Sequence, residues 1–236
     1  MTPRPLFTCL LTAVASLTIV FASLVAPAQD ASPEATPEVT PPDGIVVANL
    51  VYAEGRTGVC FAEQFLSTYA RETGQEVERS FVAVQLGEDK LFDHPFVVLS
   101  GEKAFTLTRA EKDNLKAYLD RGGFVLASAG CSNRAWGDSF LALMDELYGD
   151  DALTPIDTGH ALFHTLYDID TVEVRRATGG PALYGLEVDG RMRLVFTPIG
   201  LNDTANAGGG CCCCGGSEIR NARLINANIL AYALTH

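Results

Sequence analysis

Short apolar runs alternate along the chain with segments whose apolar positions recur every three or four residues. Ile45-Val46-Val47-Ala48-Asn49-Leu50-Val51-Tyr52 is the first such run, and the glycine-containing turn from Glu54 to Gly58 follows it, so the pattern predicts a strand entering a loop. Cys60 to Thr73 carries Phe61, Phe65, Leu66 and Tyr69 on one helical face and ends at Gly74, which predicts a helix. Glu76 to Leu86 alternates around Val77, Phe81 and Val84 with polar residues between, as an edge strand would.

The next segments are the clearest. Phe96 to Gly101, after Pro95, and Phe124 to Ala129 are continuous apolar runs of the kind buried on both faces of a parallel sheet. Between them, Thr108 followed three residues later by Glu111 is a helix-capping pattern. Leu115, Tyr118 and Leu119 give that helix its apolar face, and Arg121-Gly122-Gly123 closes it. Ser139 to Tyr148 predicts another helix. Thr171 to Ala177 and Ala182 to Val188 read as short β pieces, and Asp189-Gly190 is a hairpin turn leading to Met192–Pro198, which returns the chain to the sheet. Ser217 to Leu234 predicts a closing helix. The alternation specifies an α/β fold, an open, doubly wound, mostly parallel sheet with a small β-hairpin insertion.

Two N-terminal segments stand apart. Arg4, the apolar stretch Leu6 to Ala26 and the small residues Ala26-Pro27-Ala28 form a signal-peptide pattern with cleavage expected after Ala28. Left uncleaved, the same stretch is long enough to anchor the chain in a membrane. Residues 29–43 are rich in proline and acid and read as a disordered spacer, which leaves 44–236 as a single domain. The expected location is therefore extracytoplasmic, periplasmic or secreted. A formal charge of −12 without a Lys/Arg cluster argues against a nucleic-acid partner, and an envelope protein is the partner class that the location suggests.

The segment HPFVVLSGEKAFTLTRAEKDNLKAYLDRGGFVLASAGC, with the later GHALFHTLYDI and LYGLEVDGR, resembles the bacterial family known as domain of unknown function 4159. The resemblance spans most of residues 45 to 236. It implies a flavodoxin-like fold of the type found in class I glutamine amidotransferases, and it implies no established activity.

Candidate chemistry lies where ligands bind in such sheets, beyond the carboxyl ends of the strands. Cys9 leaves with the signal, so Cys60, Cys131 and the run Cys211, Cys212, Cys213 and Cys214 are the cysteines of the mature chain. All are disulfide candidates in an oxidising compartment. The glycine-flanked run, just before a helix start, is also a candidate thiolate metal site or thiol redox site, although its spacing matches no paired CxxC site. Cys131 sits where the related amidotransferases place a nucleophile, and His160 or His164 would then be its base. The four-residue spacing of the two histidines also admits a metal pair on one helical face. Asn202, Asp203, Glu218 and Asn221 are further polar candidates near the same rim, and Trp136 is expected to pack beneath the Cys131 loop. The preferred reading is a noncatalytic binding module, with a cysteine-dependent hydrolase or amidotransferase-like enzyme and a thiol redox protein as alternatives.

Overall fold

A computed structural model describes residues 44–176, 179–203, 206 and 218–236. The expected signal peptide and spacer lie outside these residues. The elements run β1 (Ala48–Val51), α1 (Gln64–Thr73), β2 (Val82–Gln85), β3 (Phe96–Gly101), α2 (Arg109–Asp120), β4 (Phe124–Ala129), α3 (Arg134–Tyr148), β5 (Thr154–Pro155), β6 (Tyr184–Val188), β7 (Arg191–Thr197) and α4 (Ala222–Thr235).

The seven strands form one mixed sheet in the order β2-β1-β3-β4-β7-β6-β5. The strands from β2 to β7 in that order pair in parallel, and β6 and β5 continue antiparallel. Because successive strand residues face opposite ways, β3 sends Val98 to one core and Val97 and Leu99 to the other. Phe65, Leu66 and Tyr69 of α1 and Ile225, Ile229 and Leu230 of α4 cover the first face. Leu115 and Leu119 of α2 and Trp136, Phe140 and Met144 of α3 cover the second.

The continuous apolar runs dictate β3 and β4, whose residues are all buried. The Thr108–Glu111 pattern forms a complete reciprocal capping box at the start of α2. Asp189-Gly190 turns β6 into β7 as expected, and both residues take positive φ. Other expectations need correction. Cys60, Phe61 and Ala62 are buried but not helical, because the Ala62 N–H donates outward to the Asn202 carbonyl at 2.9 Å, so α1 starts at Gln64. Helix α3 starts at Arg134, five residues before Ser139, because the Asn133 side chain caps the Trp136 N–H.

The predicted strand after Thr171 is reduced to an isolated bridge between Val174 and Ile219. The Asn221 side chain holds that segment instead, accepting from the Glu173 N–H and donating to the Thr171 carbonyl. Ile219 and Arg220 are used in that docking, and α4 follows at Ala222. His160 and His164 do not share a helical face: His160 caps a single 3-10 turn, Ala161–His164, that His164 ends.

Candidate functional site

The parallel strands deliver four loops to one edge: residues 52–63 after β1, 102–108 after β3, 130–133 after β4 and 198–203 after β7. Chain order reverses between β1 and β3, since β2 lies outside β1 while β3 lies on its other side. Such a reversal opens a crevice in doubly wound sheets. Here the chain's own Gly58 lies over it. The Asn49 amide donates to the Gly58 carbonyl at 3.1 Å, and a Cβ on Gly58 would stand 1.7 Å from the Ser100 hydroxyl.

The turn from β4 into α3 is tight. Cys131 and Ser132 both take left-handed backbone angles, with φ of 55° and 54°, which cost non-glycine residues energy and persist only where surroundings enforce them. The enforcement is visible: the Asn133 N–H closes the turn on the Gly130 carbonyl, and the Ser132 hydroxyl donates to the Ile199 carbonyl in the loop after β7. Gly200, at φ +107°, packs so closely that a Cβ there would lie 2.8 Å from the Ala129 carbonyl. On the other side a Cβ on Gly130 would meet the Glu102 carboxylate at 2.8 Å. The loops after β3, β4 and β7 thus interlock around Cys131.

A second layer lies below them. Register places Ser100 beside Ser128 and Ser128 beside Thr197, on the face that α1 and α4 cover. Ser128 donates to the Asn202 Oδ1 at 2.7 Å and accepts from the Leu201 N–H at 2.9 Å, while Thr197 accepts from the N–H groups of Ile199 and Gly200. The Asn226 amide of α4 donates to the Leu201 carbonyl at 2.8 Å.

The charged groups at this edge are mostly acids. Burial pushes the Glu102 carboxyl up from its ordinary range, with nearby Lys103 opposing, and burial likewise raises Asp203 against the Asn206 amide and the charge of Arg223. Glu218 is also buried. Among the described residues no group of three or more His, Cys, Asp or Glu side chains is placed to hold a metal ion.

The structure brings several of the expected residues together. Cys60, Cys131, Asn202, Asp203 and Glu218 all belong to the loops of this edge or the segment leading into α4. Both cysteines are engaged. Trp136 is fully buried below the Cys131 turn, and its indole N–H donates to the Tyr52 hydroxyl at 2.7 Å. The histidines have other partners. His160 accepts from the Leu162 N–H and its ring meets Tyr232 near the end of α4, while His164 bonds Asp168 and the Thr158 carbonyl, which raise its pKa. Cys211 to Cys214 lie outside the described residues. Sequence reading missed Asn49, Ser100, Glu102 and Ser132. Their signal was small: a polar residue inside or just after an otherwise apolar strand.

Interlocked loops at the carboxyl edge of this sheet all fall within a single sequence family. The chain belongs to the family described as Domain of unknown function (DUF4159), which matches residues 47–234. That match runs from just before β1 to the last turn of α4, so the family's domain contains the whole sheet and every rim residue named above. No curated protein matches the chain.

Proposed function

We propose that this member of the family is an exported, noncatalytic binding module whose rim, at the carboxyl edge of the sheet, is cross-linked through cysteine and receives a ligand or an envelope protein partner. The observation that carries the reading is the convergence of Cys60 and Cys131, both engaged, on loops that interlock with those bearing Asn202, Asp203 and Glu218. Disulfides are the natural engagement for cysteines in an exported chain. Export rests on the N-terminal apolar stretch and its small-residue cleavage pattern. The strand order β2-β1-β3-β4 followed by β7 agrees with a flavodoxin-like arrangement of the class I glutamine amidotransferase type.

One observation favours a second reading. The left-handed turn at Cys131, between a buried strand and a helix, has the shape on which hydrolases present a nucleophile. Catalysis there requires a free Cys131 thiol and a base, for which His160 and His164 were the sequence candidates. Intact mass, thiol alkylation and metal analysis of the exported protein distinguish the readings. The proposal expects no alkylation without reductant, and a mass lowered by one pair of protons per bridge. Alkylation of Cys131 without reductant overturns the cross-linked rim and favours the enzyme. Cysteines protected until a chelator removes a stoichiometric metal overturn it in favour of a thiolate metal site, and disulfides reduced rapidly by small thiols favour a redox protein.

A further inference from the structure

One row of the sheet is polar where its neighbours are valine, leucine and phenylalanine. Ser100, Ser128 and Thr197 form it across three parallel strands under α1 and α4, and Asn49, which pairs in register with Val98, lies on the same face diagonally beside Ser100. Asn202 and Asn226 close its far end. Ser128 and Thr197 are satisfied by the protein. The Asn49 Oδ1, Ser100 Oγ, Asn202 Nδ2 and Asn226 Oδ1 are buried without a protein hydrogen bond among the described residues. Ser100 and Asn202 are each 1 % exposed and Asn226 is fully buried, so bulk solvent does not serve them.

The chemistry of these atoms selects their occupant. The other bond of each amide at the far end shows its orientation. Ser128 accepts from the Leu201 N–H and donates its one proton to the Asn202 Oδ1, while the Leu201 carbonyl requires the nitrogen of Asn226. The remaining atoms are therefore a donor, Asn202 Nδ2, and an acceptor, Asn226 Oδ1, both anchored at residues 201–202. A cation is repelled by the first and an anion by the second. Water accepts from one and donates to the other. At the near end Asn49 Oδ1 and Ser100 Oγ flank Gly58 and offer an acceptor and a hydroxyl, which water also serves. Buried water is held by polar groups of this kind, and buried polar atoms without protein partners mark its sites.

We infer that the polar row is an internal water-binding seam, with one molecule between Asn202 and Asn226 and one at Asn49 and Ser100, linking the loops after β1 and β7 to the sheet. The inference does not depend on the cysteine chemistry proposed above. A high-resolution crystal structure of the exported chain tests it. The expected result is a density peak within hydrogen-bonding distance of Asn202 Nδ2 and Asn226 Oδ1 and another at Ser100 Oγ; dry atoms at both ends, or a larger molecule in place of water, overturn it. Ser100→Ala reads the near end in solution. If the hydroxyl binds water, the folding equilibrium constant falls about fivefold or more. An unchanged or increased constant means that the substitution merely removed an orphaned hydroxyl, and overturns the near-end site.

Discussion

The Trp136 indole N–H donates to the Tyr52 hydroxyl at 2.7 Å, and that hydroxyl donates to the Ser100 carbonyl at 2.8 Å. One buried relay therefore ties the end of β1 to the end of β3 and the first turn of α3. Tyr52→Phe leaves an indole N–H and a carbonyl without this partner, and is expected to cost about 2 kcal/mol, or roughly 4–8 °C in Tm by calorimetry. The same hydroxyl predicts a pH dependence. Burial pushes its pKa from 10.0 up to about 12, against a lowering by the Trp136 bond. The folded state holds the proton more tightly than the unfolded chain, so this contribution is complete below pH 10 and is lost as pH rises through about 12. Tyr52→Phe should flatten the alkaline stability profile over that window; an unaltered slope contradicts the assignment.

The capping box of α2 also serves a neighbouring loop. Glu111 Oε2 accepts from the Thr108 N–H and hydroxyl, while Oε1 accepts from the N–H of Ala53, a residue with φ of 45°. Thr108→Ala should cost about 1 kcal/mol, as ordinary cap losses do. Glu111→Ala removes both functions and should cost about 2–3 kcal/mol in urea titration. Equal effects would mean that the Ala53 link contributes nothing.

Gly58→Ala places a methyl group inside the Ser100 side chain and should destabilise by about 2–3 kcal/mol. The double variant Gly58→Ala with Ser100→Gly should recover part of that loss. Additive losses in the double-mutant cycle would show that the two residues do not clash as the geometry requires.

Glu102→Gln should raise stability at neutral pH. Burial raises the Glu102 pKa, so the folded state prefers the protonated acid; its contribution is complete below the unfolded-state pKa and is lost as pH rises through the folded one. The gain should stay below about 1 kcal/mol, since the side chain is half-buried, and vanish below about pH 4. A gain of equal size in acid would point to packing instead.

Legibility in the sequence follows how local the cause is. Beta strands 3 and 4 and the α2 cap were readable because a run of apolar residues or a four-residue box suffices to specify them. The start of α1 was not, because one tertiary bond from Ala62 to Asn202 overrides the helical pattern of Phe61, Phe65 and Tyr69. Two-residue β5 has too little pattern to detect. Cysteine was a visible marker of the rim, as were Asn202, Asp203 and Glu218. Ser100 and Ser128 were not: a small polar residue in a buried strand looks the same whether it is satisfied by a neighbour or left for water.

The two ends of the sheet bear on how the chain behaves at high concentration. On one side the last strand, β2, has four residues with only Val84 buried, and on the other β5 is a two-residue pair that ends in Pro155, which has no N–H to offer. Neither presents the long, flat, apolar ladder that templates aggregation. A protein built this way resists edge-to-edge polymerisation without chaperones, so concentrating it should produce no fibrillar or sheet-extended species.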